Sequence, residues 1–154
     1  MSLYGALWWS QQTILTNAQI IALKTTRVEV VPAPGSGKAL ILIGGLMDLS
    51  TTSAAYGGFD AGSNIIVTHG EFLEDASLGC LVGGWMDTVG RAFATLIPFM
   101  LMSGGNPFGS SAIALASLEN VALNLATSTQ GTNYTGGNAA NTLTVTVIYA
   151  VVSV

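Results

Sequence analysis

The chain has 154 residues, a mass of 15.8 kDa and a formal net charge of −4. Half of its residues are hydrophobic and 8 % are charged, roughly a third of the charged fraction of an ordinary soluble domain. This composition excludes disordered chains, which are rich in charge, and charged helical bundles. Four basic residues are too few for a patch that follows nucleic-acid phosphates, so we expect no nucleic-acid partner.

The apolar segments are too short for a membrane-spanning helix, which needs about 20 consecutive apolar residues. The longest cover residues 39–47 and 95–102, and each contains glycine or proline. Residues 1–9 lack a basic region and a long apolar stretch, so we expect neither a signal peptide nor a membrane partner. The single cysteine, Cys80, excludes an internal disulfide framework. We therefore expect a chain that folds in a reducing cytosol and buries much of its surface against other proteins.

Short apolar segments rich in β-branched residues recur between Gly, Ser, Thr, Asn and Pro. They predict a single β-sandwich domain over residues 16–154, preceded by an N-terminal arm over residues 1–15. Thr16 and Gln19 have the spacing of a capping box, which predicts a helix of one or two turns. The strands expected after it cover, in chain order, residues 27–31, 38–49, 64–70, 78–85, 95–102, 121–127 and 142–154.

Turns and loops separate these strands. Residues 32–37, Pro-Ala-Pro-Gly-Ser-Gly, predict a turn, because proline ends strand pairing and glycine permits positive φ. Residues 71–77 hold three acids and predict a surface loop or helical turn, whereas residues 112–118 fit a short helix or a strand. The whole pattern predicts an all-β, antiparallel, jelly-roll-like sandwich with a short N-terminal arm and a helical turn. An up-and-down barrel is the alternative.

Two of the predicted strands are apolar on both faces. In the last strand, polar alternation stops at Val147. Residues 38–49 carry apolar residues on both faces, and Gly44-Gly45 mark a bulge or a close backbone approach. A sandwich strand covers one face with its own core, so the second face meets a loop or arm of this chain, or another subunit. We expect a homo-oligomer interface, because interface cores are depleted of charge. Its expected residues are Ile148, Ala150, Val152, Val154, Ile41, Ile43 and Met47.

The N-terminal arm is a second candidate contact. It contains Tyr4, Trp8 and Trp9, and tyrosine and tryptophan are enriched among the residues that dominate binding energy. The alternative is that the arm folds back and closes one end of its own sandwich.

No group of residues has the pattern of a catalytic or metal site. His69 and Cys80 are the sole histidine and cysteine, and a dyad between them is less expected than a hydrophobic role for Cys80 and a solvated or capping role for His69. Residues 34–38 lack the spacing of a phosphate-binding loop, so we expect a hairpin turn. The weaker candidates are a calcium-binding turn at Glu71, Glu74 and Asp75, a glycosidase pair among Asp48, Asp60 and Asp87, and a glycosylation sequon at Asn133.

Three strings carry a resemblance to a known group of proteins. They are Thr-Asn-Ala-Gln-Ile-Ile-Ala-Leu at 16–23, Pro-Ala-Pro-Gly-Ser-Gly-Lys at 32–38, and Thr-Gly-Gly-Asn-Ala-Ala-Asn-Thr-Leu-Thr-Val at 135–145, which leads to Tyr149. This layout resembles the small β-sandwich virion proteins of tailed bacteriophages, particularly the trimeric cement or decoration proteins of the head. The resemblance implies a jelly-roll subunit, a homotrimer, attachment to major capsid protein subunits, no enzyme activity and no cofactor.

The leading hypothesis is therefore a structural virion protein that is assembled in the host cytoplasm and docks on the capsid exterior, with the aromatic arm as a capsid contact. Phage tail and fibre proteins are an alternative. A lectin-like receptor-binding module is another, with Tyr56, Phe59 and Asp60, or Trp85 and Asp87, contacting a sugar from loops. A small-molecule barrel, or an enzyme that uses aspartates and His69, is the weakest alternative.

Overall fold

The structure is a computed structural model that describes residues 8–60, 64–70, 72–81, 85–96, 115–128 and 132–154. These residues are mostly strand, and the expected all-β class is confirmed. The elements are β1 (Trp8–Thr16), α1 (Asn17–Ala22), β2 (Val28–Val31), β3 (Lys38–Thr51), β4 (Tyr56–Gly57), β5 (Asn64–His69), β6 (Phe72–Leu81), β7 (Gly90–Leu96), a 3-10 helix (Leu115–Leu118), β8 (Leu123–Thr127), β9 (Thr135–Gly136) and β10 (Thr142–Ser153).

Two four-stranded antiparallel sheets form a sandwich around one core. The first sheet has the strand order β1-β10-β3-β7 and the second has the order β2-β8-β5-β6. The short strands β4 and β9 pair with each other outside both sheets. Side chains from the two sheets meet in a single buried cluster, which includes Leu15, Leu49 and Val145 from the first sheet and Ile65 and Leu125 from the second.

Strand β10 lies inside the first sheet and organises it. It pairs with β1 on one side from Thr142 to Ala150, and with β3 on the other side over its whole length. Leu143, Val145 and Val147 are completely buried, whereas the threonines between them are partly exposed. This period of two, read from the sequence, places the apolar residues in the core and the threonines on the opposite face.

A bulge in β3 changes which residues face the core. Ile148 pairs with Gly44 and Tyr149 pairs with Leu42, so Ile43 is an extra residue without an opposite partner. The extra residue shifts the alternation of β3 by one. Each residue after Ile43 therefore points to the face opposite to the one that strict alternation from Lys38 predicts. Met47 is completely buried in the core and Leu46 is exposed. The expectation that Met47 forms part of an interface is wrong for this reason.

Helix α1 forms as its capping residues predict. The Thr16 backbone N–H donates to Gln19 Oε1 at 3.0 Å, and the Gln19 backbone N–H donates to Thr16 Oγ1 at 3.5 Å. Each side chain thus satisfies a backbone donor that the first turn leaves open. Ile20 is the fully buried residue of the helix, and it ties this single turn and a half to the core.

The N-terminal arm expected over residues 1–15 is a strand in its described part. Residues 8–15 belong to β1, which pairs with β10 in uninterrupted antiparallel register from Trp8–Ala150 to Thr16–Thr142. The segment has no charge and no proline, and the backbone groups of β10 that point away from β3 provide its hydrogen-bond partners. Tyr4 lies outside the described residues.

Two further strands differ from the sequence expectations. Residues 72–77, expected as an acidic loop or helical turn, are the first half of β6, in which Phe72 and Ser77 pair with β5. Strand β7 occupies residues 90–96, where we expected a loop followed by a strand at 95–102. In both cases the ladder with a neighbouring strand outweighs the local preference of the polar and small residues. Residues 97–102 lie outside the described part of the chain.

Gly45 faces the core where β3 approaches both neighbouring strands. A Cβ there would overlap the Thr146 carbonyl oxygen and lie 2.9 Å from Leu96 Cδ1, whereas a Cβ at Gly44 would meet the Leu96 carbonyl oxygen at an ordinary 3.5 Å. We expect Gly45→Ala to lower the free energy of unfolding by about 1–3 kcal/mol through overpacking. Gly44→Ala, the matched control, should change it little in urea unfolding. Equal effects of the two variants would contradict this account of β3.

Candidate interaction surface

The face of the first sheet that points away from the core is the candidate site, and we call it the outer face. Strand register defines its rows. One row joins Trp8, Ala150 and Ile41, the next joins Ser10, Ile148 and Gly44, and the following rows contain Leu46 and Phe93. Since side chains opposite each other in a ladder share a face, these residues form one continuous surface across four strands.

Large apolar side chains are exposed across the outer face. The exposed fractions are 64 % for Trp8, 61 % for Ile14, 41 % for Leu46, 58 % for Phe93 and 37 % for Ile148. Ile41 and Ala150, in the same rows, are half-buried. Single exposed apolar residues are ordinary on protein surfaces, but an extended apolar surface indicates an interaction site.

The second sheet does not present an equivalent surface at its centre. Ile66 and Ala126 pair across β5 and β8 on the side away from the core, yet they are 2 % and 0 % exposed and form a separate small cluster. Thr68, on the same side of β5, is also completely buried. Among the described residues, the two sheets therefore differ: the centre of one outward side is covered, and that of the other is open.

The charged groups described on the outer face neutralise each other. Arg91 Nε and Nη2 donate to the two carboxylate oxygens of Asp48 at 3.0 and 2.5 Å. These hydrogen bonds hold the pKa of Asp48 below its usual value and raise that of Arg91. The Arg91 guanidinium also lies 5.2 Å from the centre of the Phe93 ring. The pair therefore adds no net charge to the surface and connects the edge strand β7 to β3.

The residues expected at an oligomer interface have three different placements. Ile148 and Val154 are exposed, and Ile148 lies centrally on the outer face. Ala150, Val152, Ile41 and Ile43 are half-buried. Met47 is in the core, as the bulge requires.

The two described aromatic residues of the expected arm lie on opposite faces of β1. Trp8 pairs with Ala150 and is on the outer face, whereas Trp9 pairs with Tyr149 on the side of the core and remains 52 % exposed. Trp9 lies on the edge strand β1, whereas Tyr149 and Leu42 in the same row are half-buried against the core.

Lys24 is a buried lysine, a residue type that can act as a catalytic amine, but its contacts indicate a structural role. The side chain is 1 % exposed, and Nζ lies 2.5 Å from Asp60 Oδ2 and donates to the Gly58 carbonyl at 3.2 Å. It also lies 5.6 Å from the centre of the Tyr134 ring, which contacts Phe59 edge-on. Lys24 therefore fixes the loop after β4 against the domain.

The structure does not support a His69–Cys80 dyad or a phosphate-binding loop at residues 34–38. His69 pairs with Phe72 and Cys80 pairs with Ile65, so the two backbones lie at opposite ends of the β5–β6 ladder, roughly 13 Å apart. The solvated role expected of His69 is wrong, because it is buried and Nε2 donates to the Leu40 carbonyl at 2.8 Å. In the turn before β3, Glu119 already accepts from the Gly37 N–H at 2.6 Å.

The sugar-binding candidates are not arranged as a stacking surface. Tyr56 is 4 % exposed and its hydroxyl donates to Asn17 Oδ1 at 2.8 Å, while Trp85 is 8 % exposed. Burial raises the pKa of the Tyr56 phenol. Asp60 pairs with Lys24, and Asp48 pairs with Arg91, so neither meets Asp87. The acidic residues Glu71, Glu74 and Asp75 have side chains outside the described part of the chain.

Within the described ranges, no helix is long and apolar enough to cross a membrane, and no three metal-ligating side chains come together. Leu46, Phe93 and Ile14 lie on the outer face but are not among the residues that the sequence predicts at an interface. Strict alternation along residues 38–49 gives Leu46 the face opposite to Met47 and does not locate the bulge, and the residues around Phe93 resemble a loop. The alternation of Arg91, Phe93 and Thr95 with two alanines was the available signal.

The Asp48–Arg91 pair predicts a dependence of stability on pH. The pKa of Asp48 is lower in the folded state than its ordinary value of 3.8. The stabilisation of the fold by the ion pair is therefore complete above pH 3.8, and it is lost as the pH falls through the lowered pKa of the folded state. Asp48→Asn should therefore be less stable than the wild type at pH 7, with a difference that shrinks below pH 3.8 in urea unfolding. Asp87→Asn, at an exposed position, is the control. A difference of constant size over this range would contradict the prediction.

The two partners of the buried ion pair should tolerate substitution unequally. Asp60→Asn leaves the buried Lys24 ammonium without its countercharge, whereas Lys24→Met leaves a half-exposed carboxylate that water can solvate. We expect Asp60→Asn to lower the free energy of unfolding by about 1–3 kcal/mol, and Lys24→Met to lower it less. Urea unfolding measures both values, and the reverse order would refute the anchoring role.

No family model, curated protein or solved structure matches this chain. The function must therefore be inferred from the geometry of the molecule. Its dominant feature is an open outer face on the first sheet, where exposed large apolar side chains share rows with threonines, Gln12 and the neutralised Asp48–Arg91 pair.

Proposed function

We propose that this protein is a structural virion protein, a cement or decoration subunit that forms a homotrimer and stabilises the head shell of a tailed bacteriophage. The observation that carries the proposal is the exposed apolar outer face, with Leu46 and Ile148 near its centre. A surface of this kind favours burial against protein, at about 25 cal/mol per Å² of apolar area. The sequence resemblance supplies the trimer and the head as the setting.

The strand order supports a jelly roll. When the two short strands β4 and β9 are set aside, the eight long strands lie in the orders 1-8-3-6 and 2-7-4-5. Two sheets of this order arise when paired antiparallel strands are wound together, which is the jelly-roll arrangement of viral capsid and lectin domains. Between those two classes, the buried positions of Tyr56 and Trp85 favour the capsid role over sugar binding.

Two separate surfaces serve the proposed assembly. The outer face contacts the other subunits of the trimer. Trp9, exposed on the opposite side of the edge strand β1, is the proposed contact with major capsid protein subunits. Tryptophan suits such an anchor because it buries a large apolar area at little cost in conformational entropy. Three copies of the contact on one trimer add avidity.

Substitutions on the outer face should disrupt assembly without unfolding the subunit. Leu46→Asp and Ile148→Asp place a charge on a partly exposed position that the trimer would bury. Native mass measurement at micromolar concentration should show loss of the trimer for both. Val89→Asp is the matched control, because Val89 is 58 % exposed but lies outside the strands. A similar assembly state for all three variants would contradict the proposal.

Binding to phage heads tests the proposed attachment of this protein to the capsid. Purified protein should co-sediment with heads that lack decoration and appear in electron micrographs as added density at junctions between capsid subunits. Trp9→Ser should weaken this attachment and leave the trimer intact. Failure to bind any head, together with selective binding on a glycan array, would favour the lectin-like alternative.

A further inference from the structure

Among the described strands, β1 and β7 form the two edges of the first sheet, and both lack the features that normally keep a sheet edge from pairing. Strand β1 has nine residues, no charge, no proline and no irregularity in its register with β10. Strand β7 has seven residues in regular register with β3, and its one charge, Arg91, is paired with Asp48. Natural proteins usually shorten, charge or distort such edges, because their free N–H and C=O groups attract other strands.

The edges of the second sheet do have these features. Strand β2 has four residues, contains Glu29 and shows a register shift opposite β8. Strand β6 shows two register shifts opposite β5. The contrast shows that protection is selective in this molecule: both edges of the sheet with the open face are regular, and both edges of the other sheet are interrupted.

The directions of the strands allow the two regular edges to pair with each other. Successive strands of the first sheet are antiparallel, so β1 and β3 run one way and β10 and β7 run the other. A rotation about an axis parallel to the strands keeps these directions. It therefore brings β1 of one copy beside β7 of the next copy as an antiparallel pair, which is the pairing that an extended edge accepts most readily.

The most exposed apolar side chains of the outer face lie on the two edge strands. The three most exposed large apolar residues of that face are at its edges: Trp8 and Ile14 on β1, and Phe93 on β7. Leu46 and Ile148, on the central strands, are less exposed. Pairing of β1 with β7 of a second copy would bring the edge residues together and cover them.

We propose that β1 of each subunit pairs with β7 of the next, so that three copies close into a ring of continuous sheet whose outer faces point toward the three-fold axis. This rests on the trimer of the proposed function and specifies its contact. The partner is a second copy of this chain. Sheets packed about 10 Å apart across the axis would exclude water from the apolar outer faces. The ring would cover two regular strand edges and the exposed apolar side chains of the outer face.

Cross-linking between two differently tagged variants tests the pairing. One carries Gln12→Cys on β1 and the other carries Thr95→Cys on β7, both at exposed positions and both with Cys80→Ser. A short bismaleimide is used because it can join the two cysteines without requiring one particular register between β1 and β7. We expect cross-linked dimers that contain one chain of each kind in the mixture, and several-fold less product from either variant alone. Glu29→Cys, on an edge of the second sheet, replaces Gln12→Cys in the control mixture and should give no such product.

The remaining outcomes separate this inference from the proposed function. A dimer by native mass, cross-linked by the Gln12→Cys variant alone, would show two-fold pairing of β1 with β1 and overturn the ring. A trimer by native mass without any β1–β7 product would overturn the edge pairing and leave the trimer standing. A monomer at micromolar concentration would overturn both.

Discussion

The antiparallel ladder between β10 and β3 is the interaction on which the rest of the molecule depends. It connects twelve residues of β10 with β3 and places the completely buried Val145 beside the completely buried Met47. β1 and β7 attach to the two outer sides of this pair, and Leu49, Leu143 and their neighbours provide half of the core. Because both faces of the ladder carry apolar residues, its burial on one side creates the core and its exposure on the other creates the outer face.

The bulge at Ile43 determines which apolar residues go to which side. Without it, Met47 and Leu46 would exchange places, and the outer face would lose Leu46 from its centre. The neighbouring Gly44 and Gly45 let β3 approach the flanking strands closely, since a Cβ at Gly45 would collide with the β10 backbone. One extra residue in β3 thus determines which of its side chains point into the core and which point to the proposed interface.

The sequence predicted the features that depend on local chemistry. The all-β class, the capping box at Thr16 and the threonine alternation of β10 each depend on residue type and spacing, and the structure contains them. Features set by distant partners were not predictable. The position of the bulge depends on the register of β3 against β10, the first half of β6 forms because β5 lies beside it, and β1 becomes a strand because β10 offers an open side. The outer face was anticipated at Ile148 but not at Leu46 or Phe93, for the same reason.

The low charge of this chain follows from the proposed assembly, because interface cores are depleted of charge. The ion pairs of the described residues, Lys24–Asp60 and Asp48–Arg91, connect parts of one subunit and leave the outer face neutral. A sedimentation-equilibrium measurement of the wild-type protein at micromolar concentration tests this claim most directly. The account predicts a single species with the mass of three chains, and a stable monomer over that concentration range would contradict it.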